Sequence, residues 1–314
     1  MPASVLLLGS SDVTLTVAQA VDAVGARLSG IVTVGDSFSI SYSEKRVANV
    51  RSADPAAWAQ DKGVPIIPFT TYENVLERHQ GKLPAICLVA GWYHMVPRRF
   101  REAFPRGCFG FHASLLPKFR GGAPLNWAIL SGAKETGVTL FEMADGVDTG
   151  LIFGQESFPI APNAMIGDLV VASRDACATL TKRHLAALLD GHAKGNPQEG
   201  EASYGLQRMP DDGRIDWAQS RLEVDRLVRA VSRPYPGAFT TLGEDRIQIW
   251  ATRIPDEAPL VLGAPGQIVM LPDFDLPGVV TRDGLLLIED ATFPDGSSCL
   301  DKLRKAGHKR FAPR

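Results

Sequence analysis

The most constraining feature of the sequence is a short run of uninterrupted apolar residues, Val5–Leu8, which is followed by a glycine and two serines. Such a run predicts a strand that is buried on both faces, and strands of this kind belong to parallel sheets. Apolar residues at helical spacing follow: Val17, Val21, Val24 and Leu28. A second predicted strand, Gly30–Val34, comes next, and the order strand, helix, strand predicts a doubly wound α/β fold.

The turn after the first predicted strand lacks the residues of the common nucleotide-binding motifs. It has neither the GxGxxG fingerprint of dinucleotide sites nor the lysine of a phosphate-binding P-loop. A Rossmann dehydrogenase, the main alternative at the level of the fold, is therefore disfavoured. The histidines also lack ligand spacing with cysteine, aspartate or glutamate, so no metal site is predicted.

The composition excludes several classes of protein. The formal net charge is −2, which gives no basic field for nucleic acid or a membrane surface. The four cysteines lie far apart without a CxxC pair, which predicts reduced thiols in a cytoplasm. No apolar run approaches the roughly 20 residues that span a bilayer, and the first residues lack a signal-peptide pattern. We therefore expect a cytoplasmic chain without a membrane partner.

The length of 314 residues favours two domains over one core. The best linker candidate is Gly191–Gly205, which is rich in Gly, Pro, Glu and Ser. We place the domains at 1–203 and 204–314. In the second domain, Ser220 and Glu223 form a capping box that starts a helix. Short predicted strands separated by Gly, Pro and Asp follow, and they favour a small OB-like β-barrel.

Two polar stretches carry positive charge. Residues 35–54 are poorly periodic and are predicted as a long loop over the carboxyl edge of the sheet, with Lys45, Arg46 and Arg51 on it. A solvated loop and a loop that grips a substrate fit this pattern equally well. The basic tail, residues 302–314, is predicted as a frayed terminus in preference to a binding element.

The stretch from 107 to 150 holds the residues with the clearest chemical potential. His112 ends the apolar run Cys108–Phe111, and Asp148 lies on a glycine-bracketed loop after a second predicted strand, Thr136–Met143. A neutral imidazole can take a proton from a nucleophile and return it to a leaving group, while a carboxylate orients the ring. Nothing here resembles an activated serine or cysteine, so direct transfer between two bound molecules is favoured over a covalent route.

Several motifs in and beyond this stretch resemble the signature of the folate-dependent formyltransferases, of the methionyl-tRNA and amino-sugar type. They are HASLLPKFRGGAPLNWAI, TGVTLFEM and DGVDTGLI and, past the predicted linker, DGRIDWAQS, RLVRAVSRPYPGAFTTL and IQIWATR. The resemblance implies a Rossmann-like domain with a parallel-rich twisted sheet, followed by the OB-like barrel. It also implies an N-formyltransferase that uses 10-formyltetrahydrofolate as its formyl donor.

The resemblance assigns roles to individual residues. His112 and Asp148 match the catalytic histidine and aspartate of the family. The pterin of the donor would lie against two segments, whose residues are Gly91, Trp92, Tyr93, His94, Met95 and Val96 in one and Met143, Ala144, Asp145, Gly146 and Val147 in the other. His94 fits a packing role equally well. The acceptor would meet Ser114, Leu115, Leu116, Pro117, Arg120 and Gly121.

The sequence departs from the family pattern at Gly110. The family reads Asn-x-His, and its asparagine donates to the developing oxyanion, whereas this chain reads Gly110-Phe111-His112. Losing one such donor typically costs about 10²–10³ in rate. Three alternatives stay open: a backbone N–H or water at Gly110 replaces the donor, another residue such as Asn126 reaches in, or the chemistry is impaired or different.

The acceptor also stays open at this point. The RPYPGAF motif and the near-neutral charge favour the amine of a nucleotide-linked amino sugar or a related small metabolite. The basic tail and the 35–54 stretch favour a tRNA substrate, in which case the acceptor is the α-amino group of initiator methionyl-tRNA. A third alternative is a folate-binding protein that has lost catalysis. The oligomeric state is open, with a homodimer as one alternative.

Overall fold

The computed structural model describes residues 3–34, 54–79 and 81–313, and the backbone alone of segments 37–40 and 43–48. The chain divides into two compact units. The first unit contains Met1–Pro124, Glu135–Pro159 and Val170–Leu206. The second unit contains Leu125–Lys134, Ile160–Leu169 and Gln207–Arg314. The second unit therefore takes two short internal segments of the chain in addition to the carboxyl-terminal part.

Helices are interspersed among the strands in the first unit, and strands dominate the second. In chain order the strands are β1 (Ser4–Leu8), β2 (Arg27–Thr33), β3 (Ser37–Ile40), β4 (Ser43–Ala48), β5 (Ile66–Pro68), β6 (Ile86–Val89), β7 (Cys108–His112), β8 (Arg120–Gly121), β9 (Glu135–Glu142), β10 (Ile152–Pro159), β11 (Tyr204–Gly205), β12 (Ala238–Leu242), β13 (Asp245–Arg253), β14 (Ile268–Val269), β15 (Gly278–Thr281) and β16 (Gly284–Thr292). The helices are α1 (Asp12–Ala23), α2 (Ala56–Asp61), α3 (Tyr72–Arg78), α4 (Arg98–Arg101), α5 (Pro124–Leu130), α6 (Ile166–Asp190), α7 (Arg221–Val231) and α8 (Leu300–Arg304).

The large sheet of the first unit has the order β10-β9-β7-β6-β1-β2-β5. The pairs from β7 to β5 are parallel, whereas β9 and β10 are antiparallel. Successive side chains of a strand point to opposite faces. Val5 and Leu7 accordingly pack in one core cluster, and Leu6 and Leu8 pack in another. The prediction of an α/β fold with a parallel-rich sheet is confirmed.

The first predicted helix is shorter than its apolar stripe suggested. α1 ends at Ala23, Val24 is exposed, and Leu28 lies in β2. The cause is Gly25, which has a φ of 72°. A glycine in this left-handed conformation ends a helix because it redirects the chain away from the helical path.

The polar stretch 35–54 was predicted as a loop, and this is wrong for part of it. β3 and β4 pair there as an antiparallel hairpin. Arg51 and the side chains of Lys45 and Arg46 lie outside the described residues, so the proposed positive charge is not located.

The sequence also failed to indicate α4, because one helical turn is too short to show a 3.6-residue period.

The sheet of the second unit is antiparallel in the order β12-β13-β16-β15-β14. The predicted capping box starts α7: the Ser220 hydroxyl accepts from the Glu223 N–H at 3.2 Å, and the Glu223 carboxylate accepts from the Ser220 N–H at 2.9 Å. A separate antiparallel sheet after the α/β sheet is confirmed. The described pairing leaves β12 and β14 at the two edges, so the OB-like closure stays a prediction.

A buried ion pair fixes one internal segment to the second unit. Arg229 on α7 donates to Asp225 at 2.7 Å and to the carbonyl of Ala164 at 3.1 Å. Asp225 in turn accepts from the Thr252 hydroxyl at 2.9 Å. Both charged side chains are largely buried, so their full set of hydrogen bonds is needed to offset desolvation.

Among the described residues, no helix is long and apolar enough to cross a bilayer.

The basic tail is docked, and the prediction of a frayed terminus is wrong. Phe311 is 1% exposed, and its ring stacks on Trp217 with centroids 5.2 Å apart. The N–H of Phe311 donates to Gly266 at 2.9 Å, and the N–H of Ile268 donates to Lys309 at 2.8 Å. Phe311 therefore anchors the tail. The sequence did not indicate this contact, because the residues around Phe311 are highly charged.

We expect Phe311→Ala to lower the free energy of unfolding by about 3–5 kcal/mol, because it removes a fully buried ring. Urea unfolding measures the change. The matched control is Lys305→Ala, an exposed tail residue that should shift stability by less than about 0.5 kcal/mol. A loss below about 1 kcal/mol for Phe311→Ala would show that the tail adds little to the fold.

Candidate active site

His112 is the last residue of β7, and its imidazole is held on both sides. Its Nε2 lies 2.8 Å from the carbonyl oxygen of Phe119, and its Nδ1 lies 3.4 Å from Oδ2 of Asp148. A carbonyl can only accept, so this contact requires a proton on Nε2. In the neutral ring Nδ1 then carries the lone pair. The geometry makes Nδ1 the basic nitrogen.

Asp148 lies on the loop after β9, with a φ of 51°. Its Oδ2 accepts from the backbone N–H of Gly121 at 2.8 Å and faces His112. Aspartate is among the few non-glycine residues that adopt a left-handed conformation readily. The carboxylate is thus placed to stabilise the positive charge that the ring gains with a second proton, which would lie on Nδ1.

One short turn, residues 119–122, contacts both members of this pair. Its Phe119 carbonyl accepts from His112, and its Gly121 N–H donates to Asp148. Gly121 has a φ of 98°, and a Cβ there would lie 2.6 Å from the carbonyl oxygen of Gly205. Only glycine fits this position. The turn therefore fixes the tautomer of the histidine and the orientation of the aspartate together.

The predicted linker is bound to this turn and does not run free. β8 of the turn pairs in parallel with β11 at the end of the segment. The Ser203 hydroxyl accepts from the N–H of Phe119 at 2.9 Å, and the N–H of Gly122 donates to Gly205 at 2.7 Å. Gln198 of the same segment also reaches the site. The sequence did not indicate this role, because a free linker and a docked segment both read as polar stretches without periodicity.

The predicted acceptor residues fall into two groups. Arg120 and Gly121 lie in the turn beside Asp148, so the structure brings them to the His112 and Asp148 pair. The side chains of Ser114, Leu116 and Pro117 are buried, whereas Leu115 is partly exposed. The Ser114 hydroxyl donates to the carbonyl of Lys118 at 2.5 Å. The side chains of the buried group therefore support the turn from within.

Gly110 lies in β7 opposite Phe141 of β9. A Cβ on Gly110 would lie 3.1 Å from the Phe141 ring and 3.5 Å from Met143, so Phe141 fills the space beside the glycine. The amide of Asn126 is engaged elsewhere, because its Nδ2 donates to the carbonyl of Ala230 at 2.7 Å within the second unit. That engagement weighs against Asn126 as the replacement donor.

The first predicted pterin segment, Gly91–Val96, follows β6 and is backed by an aromatic cluster. The indole N–H of Trp92 donates to the Tyr72 hydroxyl at 2.9 Å, which donates to the carbonyl of Met95 at 2.9 Å. Burial raises the pKa of Tyr72 to about 12, so the phenol keeps its proton as a donor. Phe69 packs edge-on to Trp92 and tilted against His94. The cluster therefore fixes the backbone of this segment.

The second predicted pterin segment, Met143–Val147, is tied to the first by Arg101 of α4. The guanidinium donates to the carbonyl of Val96 at 3.1 Å and to that of Met143 at 2.7 Å, and it pairs with Asp145. A guanidinium presents its donors in a rigid planar fork. Arg101 thus holds the two segments at a fixed separation, a role that the sequence patterns did not indicate.

The remaining residues of the second segment are exposed, as is Met95 of the first. These residues are therefore accessible to a ligand. Within the described part of the chain, no group of three or more His, Cys, Asp or Glu side chains is arranged to hold a metal ion.

The chain matches two family descriptions: "Formyl transferase" over residues 44–182 and "Formyl transferase, C-terminal domain" over residues 208–301. It is 33% identical over 186 residues to a methionyl-tRNA formyltransferase of Sorangium cellulosum, a match that covers 59% of this chain and 60% of that protein. The chain therefore spans less than two thirds of the length of this relative.

Solved structures share the fold at low identity. HypX from Aquifex aeolicus, solved in complex with tetrahydrofolic acid, superposes with a TM-score of 0.65 at 17% identity over 94% of this chain and 45% of HypX. An N-formyltransferase from Helicobacter canadensis, solved with folinic acid and dTDP-3-aminofucose, gives 0.63 at 17% identity over 91% of this chain and 99% of that enzyme.

We expect Gly110→Asn to destabilise the chain by about 1–3 kcal/mol, because the new side chain overpacks against Phe141. In a double-mutant cycle with Phe141→Leu, the smaller neighbour should relieve part of this cost and give a coupling energy of about 0.5–3 kcal/mol. Denaturant unfolding of the four proteins measures it. The control is Gly63→Asn, at a glycine with no atom near its Cβ position and a φ that asparagine tolerates. Additive effects at Gly110 and Phe141 would contradict the overpacking.

Proposed function

The chain belongs to the formyl transferase family, and from that premise we propose that it transfers a formyl group from 10-formyltetrahydrofolate to a primary amine. The observation that carries the proposal is the basic nitrogen of His112, which faces a carboxylate of Asp148 that the backbone holds in place. The folates in the HypX and Helicobacter canadensis structures support the choice of donor.

The described residues fit a folate donor. A pterin is a flat heterocycle with hydrogen-bonding edges, and we propose that it lies between the partly exposed segment 91–95 and the exposed residues 144–147, beside the aromatic cluster. The first segment follows a parallel strand at its carboxyl end, where open α/β sheets bind ligands. Arg101 holds the two segments together. When bound, the donor supplies the formyl group, and tetrahydrofolate is the leaving group.

The chain's own residues handle the protons. We propose that Nδ1 of His112 takes the proton that the acceptor amine loses as its nitrogen bonds to the formyl carbon. The imidazolium is stabilised by Asp148 and keeps its orientation because Nε2–H stays bonded to Phe119. The same proton then passes to the leaving nitrogen. Proton transfer of this kind is typically worth about 10²–10⁴ in rate.

For the acceptor we propose a small amine, with a nucleotide-linked amino sugar as the first choice. The net charge of −2 and the dTDP-3-aminofucose bound by the Helicobacter canadensis enzyme support this class. Initiator methionyl-tRNA is the second candidate. It is favoured by the Sorangium cellulosum relative and by the exposed cations Lys305 and Lys309 of the docked tail. Loss of catalysis with retained folate binding is the remaining alternative.

His112→Ala and Asp148→Asn should each lower formyl transfer by at least about 10², because each removes a group that handles or stabilises the transferred proton. Mass spectrometry of the N-formyl product, with a dTDP-linked amino sugar and with methionyl-tRNA as acceptors, measures it. The control is Asp190→Asn, an exposed carboxylate at the end of α6. Near wild-type transfer in either site variant would remove that residue from the mechanism.

Salt-dependent tRNA binding separates the two acceptors. Tight binding of tRNA depends on contacts between cations and phosphates, so its affinity falls steeply as salt rises. If the acceptor is a sugar, the double variant Lys305→Ala, Lys309→Ala should leave kcat/KM unchanged for the dTDP-linked amine. Tight, salt-sensitive tRNA binding that this variant weakens would move the assignment to methionyl-tRNA.

Arg101→Met should raise KM for the formyl donor about tenfold with a smaller change in kcat. It removes two hydrogen bonds to carbonyls, each worth about 1 kcal/mol, that set the separation of the donor segments. Steady-state kinetics measures the split. Arg99→Met, an exposed neighbour on α4, is the control. An unchanged donor KM would show that the segments hold their places without Arg101.

A further inference from the structure

We infer that Gln198 is a positioning residue for the formyl transfer proposed above, and the inference rests on that function. Its side-chain amide lies between the Asp148 loop and Arg120 of the 119–122 turn. Nε2 donates to the carbonyls of Asp148 at 2.7 Å and Gly150 at 2.9 Å. Oε1 accepts from Nε of Arg120 at 3.1 Å and from Nη2 at 2.7 Å.

The chemistry of an amide accounts for these contacts, because only an amide carries a donor end and an acceptor end in one small plane. The two carbonyls require N–H donors, and the guanidinium requires an acceptor. The orientation of the Gln198 amide is therefore fixed by its partners. A carboxylate would satisfy Arg120 but would turn a negative oxygen towards two carbonyl oxygens.

Gln198 contacts both parts of the His112 site: the loop that carries Asp148 and the turn 119–122. The carbonyl of Asp148 belongs to the same residue as the carboxylate that faces His112, so holding this backbone limits where the carboxylate can lie. Arg120 stands between Phe119, which holds His112, and Gly121, which holds Asp148. One neutral side chain thus joins the aspartate loop to the turn that contacts the histidine.

The neutrality of Gln198 has a second consequence, for the charge of Arg120. The side chain of Arg120 contacts Gln198 and the hydroxyl of Tyr204, the latter at 3.2 Å. Within the described part of the chain, no carboxylate forms an ion pair with Arg120. The described side-chain partners of this positive charge are therefore neutral: the Gln198 amide and the largely exposed Tyr204. A carboxylate at position 198 would neutralise that charge.

The test compares Gln198→Glu with Gln198→Met in the full chain. If Gln198 positions the Asp148 loop, both variants should lower kcat by about 10-fold or more, because both lose the donors to the two carbonyls. If Gln198 only anchors Arg120, Gln198→Glu should keep kcat, since a carboxylate pairs with a guanidinium more strongly than an amide does. The matched controls are Gln60→Glu and Gln60→Met on the exposed face of α2.

Kinetics uses the dTDP-linked amino sugar or methionyl-tRNA, whichever the wild type formylates. Rates are expressed per bound 5-formyltetrahydrofolate, so that any unfolded fraction cancels. The proposed function fails by itself if the wild type forms no product with any amine. The inference is overturned if the wild type is active and Gln198→Glu retains at least half of its kcat. It is also overturned if Gln198→Met lowers kcat by the same factor in the wild type and in Asp148→Asn, because positioning through Asp148 requires non-additive effects.

Discussion

The site depends on one turn that gives a hydrogen-bond acceptor to His112 and a hydrogen-bond donor to Asp148. The Phe119 carbonyl and the Gly121 N–H are two residues apart, so the positions of the imidazole and the carboxylate cannot change independently. Backbone groups cannot rotate away as side chains do, and they need no reorganisation when charge develops. In the proposed mechanism this constraint makes Nδ1 the basic nitrogen, and the turn itself is held by the pairing of β8 with β11.

The sheet supplies the frame for this turn. β7 is the last strand of the parallel series, and its neighbour β9 runs antiparallel, so His112 lies opposite Thr139. The Thr139 hydroxyl donates to the carbonyl of Ser114 at 2.6 Å and accepts from the N–H of Leu116 at 3.0 Å. The chain between His112 and the turn is thereby held by buried contacts. His112 thus lies at the end of the strand where the sheet changes from parallel to antiparallel pairing.

Local periodicity predicted the strands, and the family motifs pointed to the His112 and Asp148 pair, whereas features that depend on tertiary contact were missed. Apolar runs located β1 and β6, and the motifs indicated His112 and Asp148. Nothing local indicated Gln198, because a polar residue in a segment rich in Gly, Pro and Glu is typical of a linker. The docking of Phe311 was missed for a related reason, since its partner Trp217 is distant in sequence. The lack of room for a side chain at Gly110 became visible only once the structure placed Phe141 opposite it.

The central claim, that the His112 and Asp148 site serves a folate-dependent formyl transfer, is tested most directly by calorimetric titration of the full chain with 5-formyltetrahydrofolate. We predict micromolar binding at one site per chain, with little change in Asp148→Asn because that residue acts on the proton and not on the pterin. A chain that is folded by circular dichroism and gives no heat of binding would contradict a folate-dependent transfer, because donor binding is its first step.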